Sequence, residues 1–94
     1  MTKILRLAVK KEYFEQIKTG SKTEEYRKVK EYWTKRLHKK YDKVQITLGY
    51  PSSEEKQKIL NFKYNGWEIK KITHKEFGDK PISVYAIKLN EKLD

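Results

Sequence analysis

Gly20 ends one kind of local structure and begins another, and that junction constrains the fold more than any other feature of the chain. Upstream of it Tyr13, Phe14 and Ile17 recur at helical spacing, and Lys18-Thr19-Gly20 supplies a basic last turn with a glycine stop. Downstream, Ser21-Lys22-Thr23-Glu24-Glu25-Tyr26-Arg27 reads as a strand that is polar on both faces, which is unusual near the centre of a small domain and points to a groove lining. Glu25 and Arg27 lie two apart, so their side chains share a face, as does that of Thr23. Two readings of that face stay open: an intramolecular pair that fixes the strand, or a carboxylate and a guanidinium that together hold a base edge or a phosphate. Lys22 is off parity and joins them only if the strand opens with a twist or a bulge.

Ninety-four residues make one domain with a single modest core. Hydrophobic residues are 36% of the chain, and the aromatic set of seven Tyr, three Phe and two Trp must supply much of the buried area. The absence of cysteine excludes a disulfide framework, a thiol nucleophile and a thiolate zinc site, so a reducing cytoplasm is the expected compartment. No window approaches the length of a membrane span, and no membrane partner is expected. The two histidines, His38 and His74, have no ligand spacing, so neither a metal nor another cofactor is expected. His38 reads as a surface residue at a helix end, and His74 faces the groove only in a minority reading.

The remaining elements follow from periodicity. A strand over 3–9 carries Ile4, Leu5, Leu7 and Val9 almost without interruption, the pattern of a central strand. Helices are predicted over 10–19 and 29–39, the second with Val29, Trp33 and Leu37 as its core stripe. A strand over 43–49 alternates Val44, Ile46 and Leu48 with Gln45 and Thr47. Strands over 58–64 and 67–74 flank Asn65-Gly66, the dipeptide of a two-residue type I′ hairpin. Ile72 breaks the alternation and suggests a bulge. A last strand covers 83–90, which makes the order β, α, β, α and four strands, an α+β class.

The junction resembles the signature of the ASCH family, a branch of the PUA-like superfold, in which a helix is followed by GxKTxExR. Every fixed position is present, as Gly20, Lys22, Thr23, Glu25 and Arg27. The likeness extends to the strand before the helix and to Phe77-Gly78-Asp79 with the strand after it, so it covers nearly the whole chain. It implies an α+β fold, a small mixed β-barrel with two helices spanning residues 1–94 as one domain. It also implies a nucleotide-holding groove formed by those five residues. Among similar proteins are N4-acetylcytidine amidohydrolases, whose likeness implies a catalytic role for Lys22, with Glu25 at the position where those enzymes carry a threonine. The glutamate they draw from a later strand has only Glu68 and Glu76 as candidates by order along the chain. Some relatives are ribonucleases, so the resemblance also allows RNA cleavage with Lys22.

A formal charge of +10 makes polyanions the natural partner class. Eight cations fall within residues 27–43, where Arg27, Lys28, Lys30, Lys35, Arg36, Lys39, Lys40 and Lys43 interleave with Tyr26, Tyr32, Trp33 and Tyr41. Basic side chains that reach phosphates and exposed rings that stack on bases are how single-stranded nucleic acid is held without a strict code. Trp33 sits on the core stripe, which leaves Tyr32 and Tyr41 as the stacking candidates. The leading expectation is an RNA-binding domain. Its rivals are a hydrolase acting on a nucleoside amide or an RNA phosphodiester through Lys22, and a protein-interaction module for an acidic partner.

Overall fold

The computed structural model describes residues 2–52 and 54–93. Strand β1 (Ile4–Val9) is followed by helix α1 (Lys11–Thr19), strand β2 (Glu24–Lys28), helix α2 (Glu31–Leu37), and strands β3 (Lys43–Leu48), β4 (Ile59–Lys63), β5 (Trp67–Ile72), β6 (Ile82–Lys88) and β7 (Lys92–Leu93). Short 3₁₀ turns at Lys56–Lys58 and Lys75–Phe77 precede β4 and β6. The strands form two sheets, ordered β1-β3-β4-β7 and β2-β6-β5. The two sheets do not close into a barrel, which corrects that part of the expected architecture, while the α+β class with two helices stands.

The chain passes between the sheets four times, from β1 to β2, β2 to β3, β4 to β5 and β6 to β7, and the third crossing overturns the hairpin. Asn65-Gly66 does not join paired strands, because β4 lies in the first sheet and β5 in the second. Only Gly66 has a positive φ, 84°, whereas a type I′ turn needs two such residues. The dipeptide is instead a corner: the Gly66 carbonyl accepts from the Lys88 amide at 3.1 Å, and the Asn65 amide donates to Asn90 Oδ1 at 2.8 Å. Leu60 and Phe62 therefore point into the core beside β3, and Trp67 packs on another sheet. The last crossing is at Leu89, where the chain leaves β6 and returns as β7 to pair with β4.

Two further expectations change. The central, doubly covered strand is β6, whose Val84, Tyr85, Ala86 and Ile87 are all buried, whereas β1 is an edge strand paired only with β3, with Arg6 exposed. No bulge occurs at Ile72, since β5 pairs with β6 in unbroken register from Trp67↔Ile87 to Ile72↔Ile82. As an edge strand with Ile69 exposed, β5 has no reason to keep strict alternation.

One core lies between the sheets and under the helices. It is built from Leu5, Leu7, Phe14, Ile17, Leu37, Val44, Ile46, Phe62, Tyr85 and Ile87. Helix α1 buries Phe14 and Ile17 and stops where the Gly20 amide bonds the Ile17 carbonyl at φ 88°. Helix α2 starts at Glu31, so Val29 lies outside it and is exposed, and the core stripe reduces to half-buried Trp33 and buried Leu37. Trp67 ties this layer together: its indole donates to the Leu37 carbonyl at 3.0 Å and its ring meets Tyr85 edge-on at 4.6 Å. No described helix is long and apolar enough to cross a membrane.

Candidate functional site

The seam between the two sheets holds the site. The unpaired edge of β1 and the edge of β2 face a cavity of about 190 Å³, entered beside α1 and the 74–77 turn. The seam stays open because β2 fills it with charge instead of a hydrogen-bond ladder. Arg27 donates to the free carbonyl of Ala8 at 3.1 Å and pairs with Glu25 at 2.9 Å. Glu25, 8% exposed, is the one buried polar or charged residue among those described.

Lys22 completes the group, by a route that alternation along a strand does not reveal. β2 begins at Glu24, and Lys22 belongs to the turn that leaves α1. Its backbone amide bonds the Gln16 carbonyl at 3.1 Å, six residues back, which wraps the chain tightly around the helix end. The ammonium comes to rest 3.9 Å from Glu25, with 13% of the side chain exposed. It lies over the ring of Tyr26 at 4.3 Å and near that of Tyr13 at 5.5 Å. Glu24 points the other way, held by Lys70 at 2.8 Å and the Tyr26 hydroxyl at 3.1 Å.

Rings form the walls. His74 sits 5.6 Å from both Tyr13 and Phe77 and 6.4 Å from Tyr26. The turn carrying His74 and Phe77 is strapped to the start of α1 by Lys10–Glu76 at 2.6 Å and Lys75–Glu12 at 2.7 Å. The Tyr13 hydroxyl is buried at this wall without a hydrogen-bond partner among the described residues. A polar atom buried and unpaired costs free energy unless a ligand or water completes it.

Burial sets the protonation behaviour. It pulls the Lys22 ammonium below the usual lysine range, against the opposing pull of Glu25 and Glu24. Burial also raises the Glu25 carboxyl above its ordinary range, although Arg27 and Lys22 both favour the anion. The Tyr13 and Tyr26 phenols are raised by burial as well. Burial thus works against both charges, while Arg27 at 2.9 Å favours the Glu25 anion.

Of the residues expected at the groove, Lys22, Glu25 and Arg27 line the cavity and Gly20 and Thr23 do not. Gly20 acts only as the helix stop. The Thr23 side chain is exposed, because the residue precedes β2 and is held by its carbonyl, which accepts from the Leu89 amide at 2.8 Å. Glu76 reaches the rim and Glu68 does not. His74, expected there only as a minority reading, lines the cavity, together with Phe77, Tyr13 and Tyr26. The sequence signal for Tyr13 was masked by its place beside Phe14 and Ile17 on one helix face. His74 and Phe77 carried no local signal, since only the path of the chain between β5 and β6 brings them to the seam.

The basic run divides. Lys28, Lys30, Lys39 and Lys40 are exposed, and Lys35 is exposed but paired with Glu31 at 3.0 Å. Lys28 lies over the Phe77 ring at 5.5 Å, at the edge of the cavity. Arg36 is half-buried over the rings of Tyr32 and Trp33, and Lys43 is half-buried on β3 beside Ile4, so neither is a free phosphate contact. Tyr32 is 58% exposed and available to stack. Tyr41 is not: its hydroxyl donates to the Arg36 carbonyl at 2.7 Å and its ring packs edge-on against Tyr64 at 5.4 Å. The tyrosine follows a helix that ends early at Leu37, which turns its ring inward.

No group of three or more His, Asp or Glu residues among those described could hold a metal ion. Comparison of the chain with known protein families, curated proteins and solved structures returns no match.

Proposed function

We propose that this protein is an RNA-binding domain of the ASCH type that holds one unstacked base in the seam cavity and the flanking backbone on the exposed lysines of the 28–40 segment. The observation that carries the reading is Glu25, buried and bracketed by Lys22 at 3.9 Å and Arg27 at 2.9 Å inside a ring-lined cavity. A buried ion pair contributes little to folding compared with an apolar replacement, so its place at the floor of a cavity is better explained by a ligand. The volume of about 190 Å³ lies below the range of about 300 to 1,000 Å³ of drug-sized pockets, which suits one planar ring and not a folded chain. Tyr13, Tyr26, His74 and Phe77 supply faces and edges for that ring, and Glu25 with Arg27 supplies an acceptor and a donor for its polar edge.

Fluorescence anisotropy of labelled single-stranded RNA at two salt concentrations tests the reading, with Lys22→Ala and a Lys39→Ala/Lys40→Ala double variant beside the parent. Salt-sensitive binding of intact RNA, weakened by both variants, is the expected result. Absent binding, or binding indifferent to salt, refutes it.

The lowered pKa of Lys22 favours a second reading in which the site is catalytic. An amine that releases its proton more readily can act as a general base toward water or a ribose hydroxyl, with Glu25 and Arg27 orienting a nucleoside amide or a phosphodiester. Gels of the same samples decide: RNA shortened by the parent and left whole by Lys22→Ala makes the protein a nuclease. Release of acetate from N4-acetylcytidine, lost in the same variant, makes it an amidohydrolase.

A further inference from the structure

The first sheet carries a second cavity on its outer face, about 860 Å³ in volume, beneath the loop that leaves β3. Its floor is a cross-strand row, since Arg6 pairs with Gln45 and Gln45 with Asn61 in register. Gln45 Nε2 donates to Asn61 Oδ1 at 3.1 Å, which leaves Gln45 Oε1 and Asn61 Nδ2 without partners among the described residues. Either orientation of this amide pair leaves one donor and one acceptor pointing from the sheet. The start of that loop is fixed by Thr47, whose hydroxyl donates to the Gly49 carbonyl at 2.7 Å. It carries Tyr50, 97% exposed. Arg6 and Lys56 line the groove, take part in no ion pair among the described residues, and face no carboxylate in its lining.

We infer that this groove is a second nucleotide subsite, contiguous with the seam cavity, in which Tyr50 stacks on a base, the Gln45–Asn61 amide pair reads its edge, and Arg6 and Lys56 hold its phosphate. Three observations converge. An exposed ring costs solvation of apolar area and serves no packing role, yet it is the platform that single-stranded nucleic acid needs. A paired amide with one free donor and one free acceptor matches the mixed edge of a nucleobase. Two unpaired cations without a competing anion match the phosphate. Continuity comes from Ala8, which lines both cavities at the edge of β1, so a strand with one base in the seam crosses that edge to reach the groove.

The inference rests on the base-holding reading of the seam cavity, and the test separates the two. Tyr50→Ala and Asn61→Leu are each compared with the parent for binding of a mixed-sequence single-stranded RNA and of uridine monophosphate. The side-chain amide resonances of Gln45 and Asn61 are followed by NMR during both titrations. Expected are about tenfold weaker binding of the RNA by Tyr50→Ala, recovery in Tyr50→Phe, and amide shifts with RNA that Lys22→Ala reduces but does not abolish. The binding that remains in Tyr50→Ala, held by the seam, still falls when Lys22 is replaced as well. If RNA binding depends on Lys22 while the Tyr50 and Asn61 variants bind normally and the amide resonances stay still, the second subsite is wrong and the first stands. If the parent binds no RNA, both fall. A matched single-stranded DNA tells whether the 2′-hydroxyl contributes.

Discussion

At the scale of single residues the charged group at the cavity floor works against folding. Glu25 titrates above the ordinary carboxylate range, so between that range and its raised value the fold holds a proton that the unfolded chain has released, and stability falls as pH rises through the window. Lys22 is the mirror case. Between its lowered value and the ordinary 10.5 the unfolded chain holds a proton that the fold has given up, so stability rises with pH there. Both ionised forms therefore cost the fold near neutrality. Replacing Lys22 by Met is expected to leave thermal stability equal or higher while RNA affinity drops at least tenfold. Lost stability in a melting curve would make Lys22 a structural residue instead. RNA affinity is also expected to weaken as pH rises through the lowered pKa of Lys22 and to stay level in Lys22→Arg, whose guanidinium remains charged. Arg27 differs, because it satisfies both Glu25 and the Ala8 carbonyl. Arg27→Met should cost on the order of 3 kcal/mol in urea unfolding, the penalty for leaving a buried carboxylate with one distant partner.

Among elements, the local signals held where one residue's conformation decides the outcome and failed where pairing partners decide it. Gly20 ends α1 at φ 88° as its place after Ile17 and Lys18 predicts, and β3 alternates as Val44 and Ile46 predict. Asn65-Gly66 carries a strong hairpin signal, yet β4 finds its partner in β3 and β5 finds its partner in β6. A hairpin would have put Phe62 and Trp67 on one small sheet. The corner lets Phe62 enter the core and Trp67 reach Leu37 and Tyr85, which buries more aromatic area. Trp67→Ala is accordingly expected to cost about 3 kcal/mol, within the range for large aromatic truncations in a packed layer. A cost below about 1 kcal/mol, the scale of a surface substitution, would show that the corner is held by Gly66 and Asn65 alone.

For the whole molecule, charge and topology act together. The basic segment leaves the seam at Arg27 and ends at Lys43, which pairs with Ile4 at the far end of β1, roughly 13 Å along the strand from the cavity at Ala8. Exposed Lys39 and Lys40 lie toward that end, so under the proposed reading they hold backbone outside the cavity. Replacing both by Ala should weaken RNA binding at low salt and flatten the plot of log affinity against log salt by about 1.4, from about 0.7 per phosphate contact on a single strand. An unchanged slope would place the strand elsewhere on the surface.

The chain by itself determined the α+β class, the positions of both helices and of the six longer strands, the helix stop at Gly20, and the shared strand face of Glu25 and Arg27, because each follows from local conformation, periodicity or composition, whereas Lys22 joins that pair only through the turn that leaves α1. Tertiary structure alone decided that β1 is an edge and β6 the centre, that the sheets stay open at the β1–β2 seam, and that Tyr13, His74 and Phe77 meet there. Those outcomes depend on which strands pair and on how far the chain travels between them. Strand pairing is a contest among long-range contacts of nearly equal local merit, settled by how much aromatic and aliphatic surface each arrangement buries, and that sum is not written in any one stretch of sequence.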